Sequence, residues 1–84
     1  MENETSWITA SDIVYINRQA ADLFLCWSEY YYEKIKARDY FNRRSEVTAE
    51  IMHQYGRDGY NIFMSTYNKL IQDEIRLIKM GEKK

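Results

Sequence analysis

The chain contains no proline and only three glycines, and two of those glycines sit together in Tyr55-Gly56-Arg57-Asp58-Gly59-Tyr60. Nothing else forces the backbone out of a helix, so this hexapeptide is the one clear internal break. Cys26 is the only cysteine, which excludes an internal disulfide and suits a reducing compartment. His53 is the only histidine, and with Cys26 it falls far short of a four-ligand metal site, so neither metal nor cofactor is expected. The opening residues Met1-Glu2-Asn3-Glu4-Thr5-Ser6 lack the basic region and apolar core of a signal peptide. Apolar runs are too short to span a bilayer, and the expectation is a soluble, cytoplasmic protein. No long period repeats, and no segment is low in complexity.

What is present is a chain of 84 residues, 45% hydrophobic and 15% aromatic, which reads as a single helical domain. A domain of that size buries only roughly 60–65% of the surface its unfolded chain exposes, so its core alone is marginal. With disulfide and metal set aside, oligomerisation is the remaining staple. Charge is uneven along the chain. Residues 1–33 hold six acids against Arg18 alone, whereas residues 34–44 hold Lys34, Lys36, Arg38, Arg43 and Arg44 against Asp39. An acidic end and a basic tip result.

Thr9 with Asp12 three residues later fits a capping box, and Ile8 with Ile13 supplies a hydrophobic staple, so a helix begins at Ala10. From there Ile13, Ile16, Ala20, Leu23, Phe24, Trp27, Tyr31 and Ile35 recur at three- and four-residue steps and form a core-facing stripe. Val14, Ala21, Leu25, Ser28 and Tyr32 form a second row, about a quarter-turn away. A helix in a two-arm hairpin needs only one row buried, so the second seeks either a third helix or a partner. Tyr30-Tyr31-Tyr32 points the same way: three successive helical residues lie about 100° apart and cannot all face one core.

The first helix is predicted over 10–41. Ser45 is the expected N-cap of a second helix over 46–55, with Val47, Ile51 and Tyr55 on its apolar side. A third helix over 59–80, capped by Asp58, carries Tyr60, Phe63, Met64, Tyr67, Leu70, Ile71, Ile75 and Ile78. Gly81 is expected to stop it, with Lys79, Lys83 and Lys84 complementing its C-terminal dipole. An unbroken helix from Val47 to Tyr60 would set the two stripes roughly 140° apart, which favours a turn that resets the phase. The fold class read from the sequence is all-α: a long N-terminal helix packed antiparallel against two shorter ones, a broken helical hairpin or three-helix bundle, completed by oligomerisation. Residues 1–9 and 81–84 form tails.

No catalytic site emerges. His53 has no Ser, Cys or paired carboxylate at a helical spacing that would make it a general base. Cys26 has Asp22 and Glu29 as its nearest charges, the reverse of what activates a thiol. The Gly56–Gly59 segment lacks the strand and the Lys-Ser/Thr of a phosphate loop. Glu29 with Glu33 and Glu46 with Glu50 are like-charged pairs on solvated faces.

By elimination the leading reading is a non-enzymatic protein–protein interaction module, homo-oligomeric, that inhibits, adapts or regulates another macromolecule. Its size suits an accessory factor of a virus or mobile element. Binding is assigned to Leu25, Tyr30 and Tyr32, with Arg38, Arg43 and Arg44 steering an acidic partner. The first alternative is a dimer that binds nucleic acid through the basic tip, where Tyr40 and Phe41 interleave with the cations. Against it stand a sequence pI near 5.8 and the absence of any nucleic-acid-binding motif. The second alternative is an oligomer that holds a small anionic, nucleotide-like ligand at subunit boundaries.

Overall fold

Thr9 and Asp12 set the point at which the chain becomes helical. Thr9 accepts from the Asp12 backbone N–H at 3.1 Å, and its own N–H donates to the Asp12 carboxylate at 3.0 Å, a complete capping box. The computed structural model describes residues 8–82, and all its regular structure is helical: α1, Ala10–Tyr31, and α2, Ala37–Glu82, packed together.

α1 ends ten residues earlier than its periodicity suggests. The Lys34 N–H donates to the Glu29 carbonyl at 2.7 Å and the Glu33 N–H to the Tyr30 carbonyl at 3.0 Å, the pair of bonds that closes a Schellman motif. Glu33 supplies the left-handed residue that the motif needs, at φ 63°. The chain therefore turns at residues 32–36, not after Phe41. Ser45, the expected N-cap, lies inside α2, where Thr48 returns its hydroxyl to the Arg44 carbonyl at 2.8 Å.

α2 is sharply bent. Gly56 alone leaves helical geometry, at φ 72° and ψ −163°, and divides α2 into a first arm, residues 37–55, and a second arm, residues 57–82. A straight helix of 46 residues would be about 69 Å long. The longest dimension of the molecule is 53 Å. The hydroxyls of Tyr40 and Tyr67, one on each arm, hydrogen-bond each other in the interior, so the arms lie side by side. Helical geometry resumes at Arg57, which puts Asp58 in the first turn of the second arm rather than at its cap. The second arm continues through Gly81 to Glu82; Lys83 and Lys84 lie outside the described residues, as do residues 1–7.

Side-chain contacts fix the directions of the segments. Tyr30 stacks on Tyr40 and Tyr15 packs on Tyr55, so the first arm runs antiparallel to α1. Thr66 donates to Asn17 at 2.8 Å and Tyr32 donates to Glu74 at 3.5 Å, so the second arm runs parallel to it. The sequence-based picture of two segments both antiparallel to α1 is corrected accordingly. α1 is also not the long helix, having 22 residues against 26 in the second arm.

All three segments feed one core. Ile16, Ala20 and Leu23 of α1 meet Tyr40, Val47 and Ile51 of the first arm and Phe63 and Tyr67 of the second. Each large aliphatic or phenyl side chain so buried contributes about 1.5–3 kcal/mol. Gly59 is buried at the bend, where a Cβ would overlap that of Tyr55 and lie 3.6 Å from Ile16 Cδ1. Glycine at 59 is thus required by close approach, and at 56 by conformation.

Candidate interaction surface

The core closes without the second apolar row of α1. Measured from Ile16 at 100° per residue, Val14, Ala21, Leu25 and Tyr32 fall about 140–180° around the helix. That is opposite the core rather than a quarter-turn from it. Val14 and Leu25 are each 60% exposed and Tyr32 51%; Ala21 is exposed and Ser28 half-buried. Arg18, Asp22 and Glu29 are exposed along one flank of this row.

The tyrosine triplet divides as helical geometry requires. Tyr30 turns inward, its ring 4.9 Å from that of Tyr40 and nearly parallel to it, and tilts against Phe41 at 5.9 Å. It is a flank of the core and not an outward anchor. Tyr31 and Tyr32 are about half exposed and meet edge to face. Tyr31 continues a ladder in which Phe24 stacks on Trp27 at 5.9 Å and Trp27 on Tyr31 at 5.2 Å. The periodic pattern placed Tyr31 on the core stripe; it lies instead where α1 ends and the core thins. The hydrogen bond from Tyr32 to Glu74 ties the end of α1 to the second arm, and desolvation together with the Glu74 charge raises the Tyr32 phenol above its usual range.

The basic tip is similarly divided. Lys34, Lys36 and Arg38 surround an open depression at the 32–36 turn, together with Ile35 and Asp39. Arg43 is exposed on the first arm, close enough to Cys26 to oppose the rise that burial and Glu29 impose on its thiol. Arg44 is half-buried beside Tyr67, whose phenol is raised far above its usual range by burial and by its bond to Tyr40, with Arg44 acting the other way. Tyr40 is 5% exposed and held in the core, and so is removed from the aromatics that could stack on bases. Of the six residues assigned from sequence, Leu25 and Tyr32 share one face, Arg38 and Arg43 are exposed elsewhere, and Tyr30 and Arg44 serve the interior.

Two further features were not singled out by periodicity. A cavity of about 450 Å³ opens at the bend between Ile8, Asp12, Tyr55, Arg57 and Asp58. Leu77 and Met80, 61% and 59% exposed, lie near the end of the second arm, where burial falls away beyond Tyr67. His53 is exposed on the first arm. None of the described helices is long and apolar enough to cross a membrane. What the described surface offers is apolar and aromatic contact area edged by charge. Comparison with protein-family models, curated proteins and solved structures finds no match.

Proposed function

We propose that this chain is a small, non-enzymatic, homo-oligomeric helical module that binds another protein and acts as its inhibitor, adaptor or regulator, as accessory factors of viruses and mobile elements do. The observation that supports it is the outward face of α1: Val14, Leu25 and Tyr32 are half or more exposed while the core is complete without them. Apolar side chains aligned on one face and left in water are the composition of an interface core. In this reading the three helical segments form a bundle that self-association completes, and the exposed Arg38 and Arg43 steer an acidic partner.

The test compares Leu25→Glu with Tyr32→Glu, and Arg38→Ala with Arg43→Ala, in light scattering, in capture of a partner from host lysate and in binding to generic DNA and RNA. Both α1 substitutions should keep helicity and abolish self-association through this face and, because the oligomer is the form that binds the partner, capture as well, each costing about 2 kcal/mol or more where the side chain is a buried anchor. The arginine substitutions should mainly slow association. Salt-sensitive binding to nucleic acid that survives the α1 substitutions and vanishes with the arginines would establish the nucleic-acid reading in its place. Binding of free nucleotide at subunit boundaries would establish the anionic-ligand reading.

A further inference from the structure

The identity and direction of the helix that covers the outward face of α1 rest on the proposed self-association of the chain. Taken in order, Val14, Arg18, Ala21, Leu25, Ser28 and Tyr32 advance by alternating steps of four and three, the seam of a coiled coil. The seam is exposed over nearly its whole length, with only Ser28 half-buried. Ala21 and Ser28 are small, which lets a second helix approach closely.

We infer that a second copy of the chain covers this seam with its own α1 in antiparallel orientation, related by a two-fold axis near Leu23. Charge decides the direction. The exposed cations gather beyond one end of α1, with Lys34, Lys36 and Arg38 around the 32–36 turn. A parallel pair would bring the two basic tips together. An antiparallel pair holds them apart at opposite ends, and it also opposes the two helix dipoles.

The flank supports the same orientation. When two helices pair antiparallel about a two-fold axis, each flank meets its own copy; when they pair parallel, it meets the opposite flank. Within the seam Arg18 leans toward the flank that carries Asp22 and Glu29, and the opposite flank at the level of Arg18 offers Asn17. Only the antiparallel pair brings Arg18 to acids. With the axis near Leu23, Val14 lies over the partner's Tyr32, Ala21 over the partner's Leu25, and Arg18 over the partner's Ser28, one residue from the partner's Glu29. Large faces small at Ala21, and every residue of the seam has an occupant.

Disulfide trapping in a Cys26→Ser background tests the orientation. Chains bearing Val14→Cys and chains bearing Tyr32→Cys should link to each other under mild oxidation, and neither should link to itself. Self-linking of Val14→Cys would overturn the antiparallel arrangement while leaving self-association through α1 intact. Arg18→Glu and Glu29→Arg should each weaken dimerisation about tenfold or more, and an equal mixture of the two should recover a dimer. Equal behaviour of both variants and the parent would overturn the Arg18 contact. A parent chain that stays monomeric at submillimolar concentration, with helicity intact by circular dichroism, would overturn self-association itself; capture of a different protein by the same face would still leave the binding-module reading in place.

Discussion

Glu33 holds a backbone conformation that L side chains rarely adopt, and it does so where the whole chain reverses. A non-glycine residue in the left-handed region is disfavoured by roughly 1–2 kcal/mol, and the Schellman hydrogen bonds around it offset that strain. Glu33→Gly should therefore raise stability by about 0.5–1 kcal/mol, the gain being reduced by the greater freedom of glycine in the unfolded chain. The midpoint of urea unfolding, at unchanged slope, reads this directly. The glycines at the bend respond in the opposite sense. Gly56 occupies a region that only glycine enters comfortably, so Gly56→Ala should cost about 1–3 kcal/mol. Gly59→Ala should cost a similar amount for a different reason, the collision with Tyr55. If Gly59→Ala proves neutral in thermal unfolding, the close approach of the two arms is misplaced.

Among the elements, α1 begins under the control of Asp12 as much as Thr9. The backbone N–H of Thr9, then its hydroxyl, hold the Asp12 carboxyl below its usual range, with the Tyr55 hydroxyl adding to them against a small opposing effect of burial. A carboxyl whose folded pKa is depressed stabilises fully above its unfolded value, and that contribution is lost as pH falls through the folded one. Thermal stability should therefore fall on acidification below the ordinary aspartate range, and Asp12→Asn should flatten that limb of a melting-temperature profile. This start of α1 was legible because its signal is local: two side chains three residues apart satisfy two backbone donors. The buried stripes were legible for the same reason, and Ile16, Leu23, Val47, Ile51, Phe63 and Tyr67 all reach the core their spacing assigned them. The end of α1 was hidden because Glu33 stands where Gly or Asn is customary and Lys36 precedes α2 without a capping side chain. Periodicity ran on into the turn, since Tyr31 and Ile35 keep a four-residue apolar spacing. The outward face of α1 was legible in Val14, Leu25 and Tyr32, which the core stripe leaves over and which are exposed. Tyr30 and Arg44 were misplaced because adjacent residues on an element are indistinguishable until its neighbours are known.

For the molecule as a whole, the order of its contacts along the chain matters as much as their number. Tyr40 and Tyr67 on the two arms are 27 residues apart, whereas Asn17 and Thr66, joining α1 to the second arm, are 49 apart. The arms are connected through one residue. Bringing them together closes almost no loop, and the entropic cost of closure rises with the length of chain enclosed. The bend at Gly56 encloses one residue and the 32–36 turn five, so residues 37–82 are expected to gain structure first, with α1 joining a hairpin already formed. In the kinetics of refolding, Val47→Ala and Phe63→Leu should slow the folding limb, while Ala20→Gly and Leu23→Ala in α1 should act mainly by speeding unfolding. During synthesis the order inverts. α1 leaves the ribosome before either arm on which it packs, so its stripe of Ile16, Leu23 and Trp27 must wait in water until the bend has emerged, and for that interval both of its apolar faces are open to other chains.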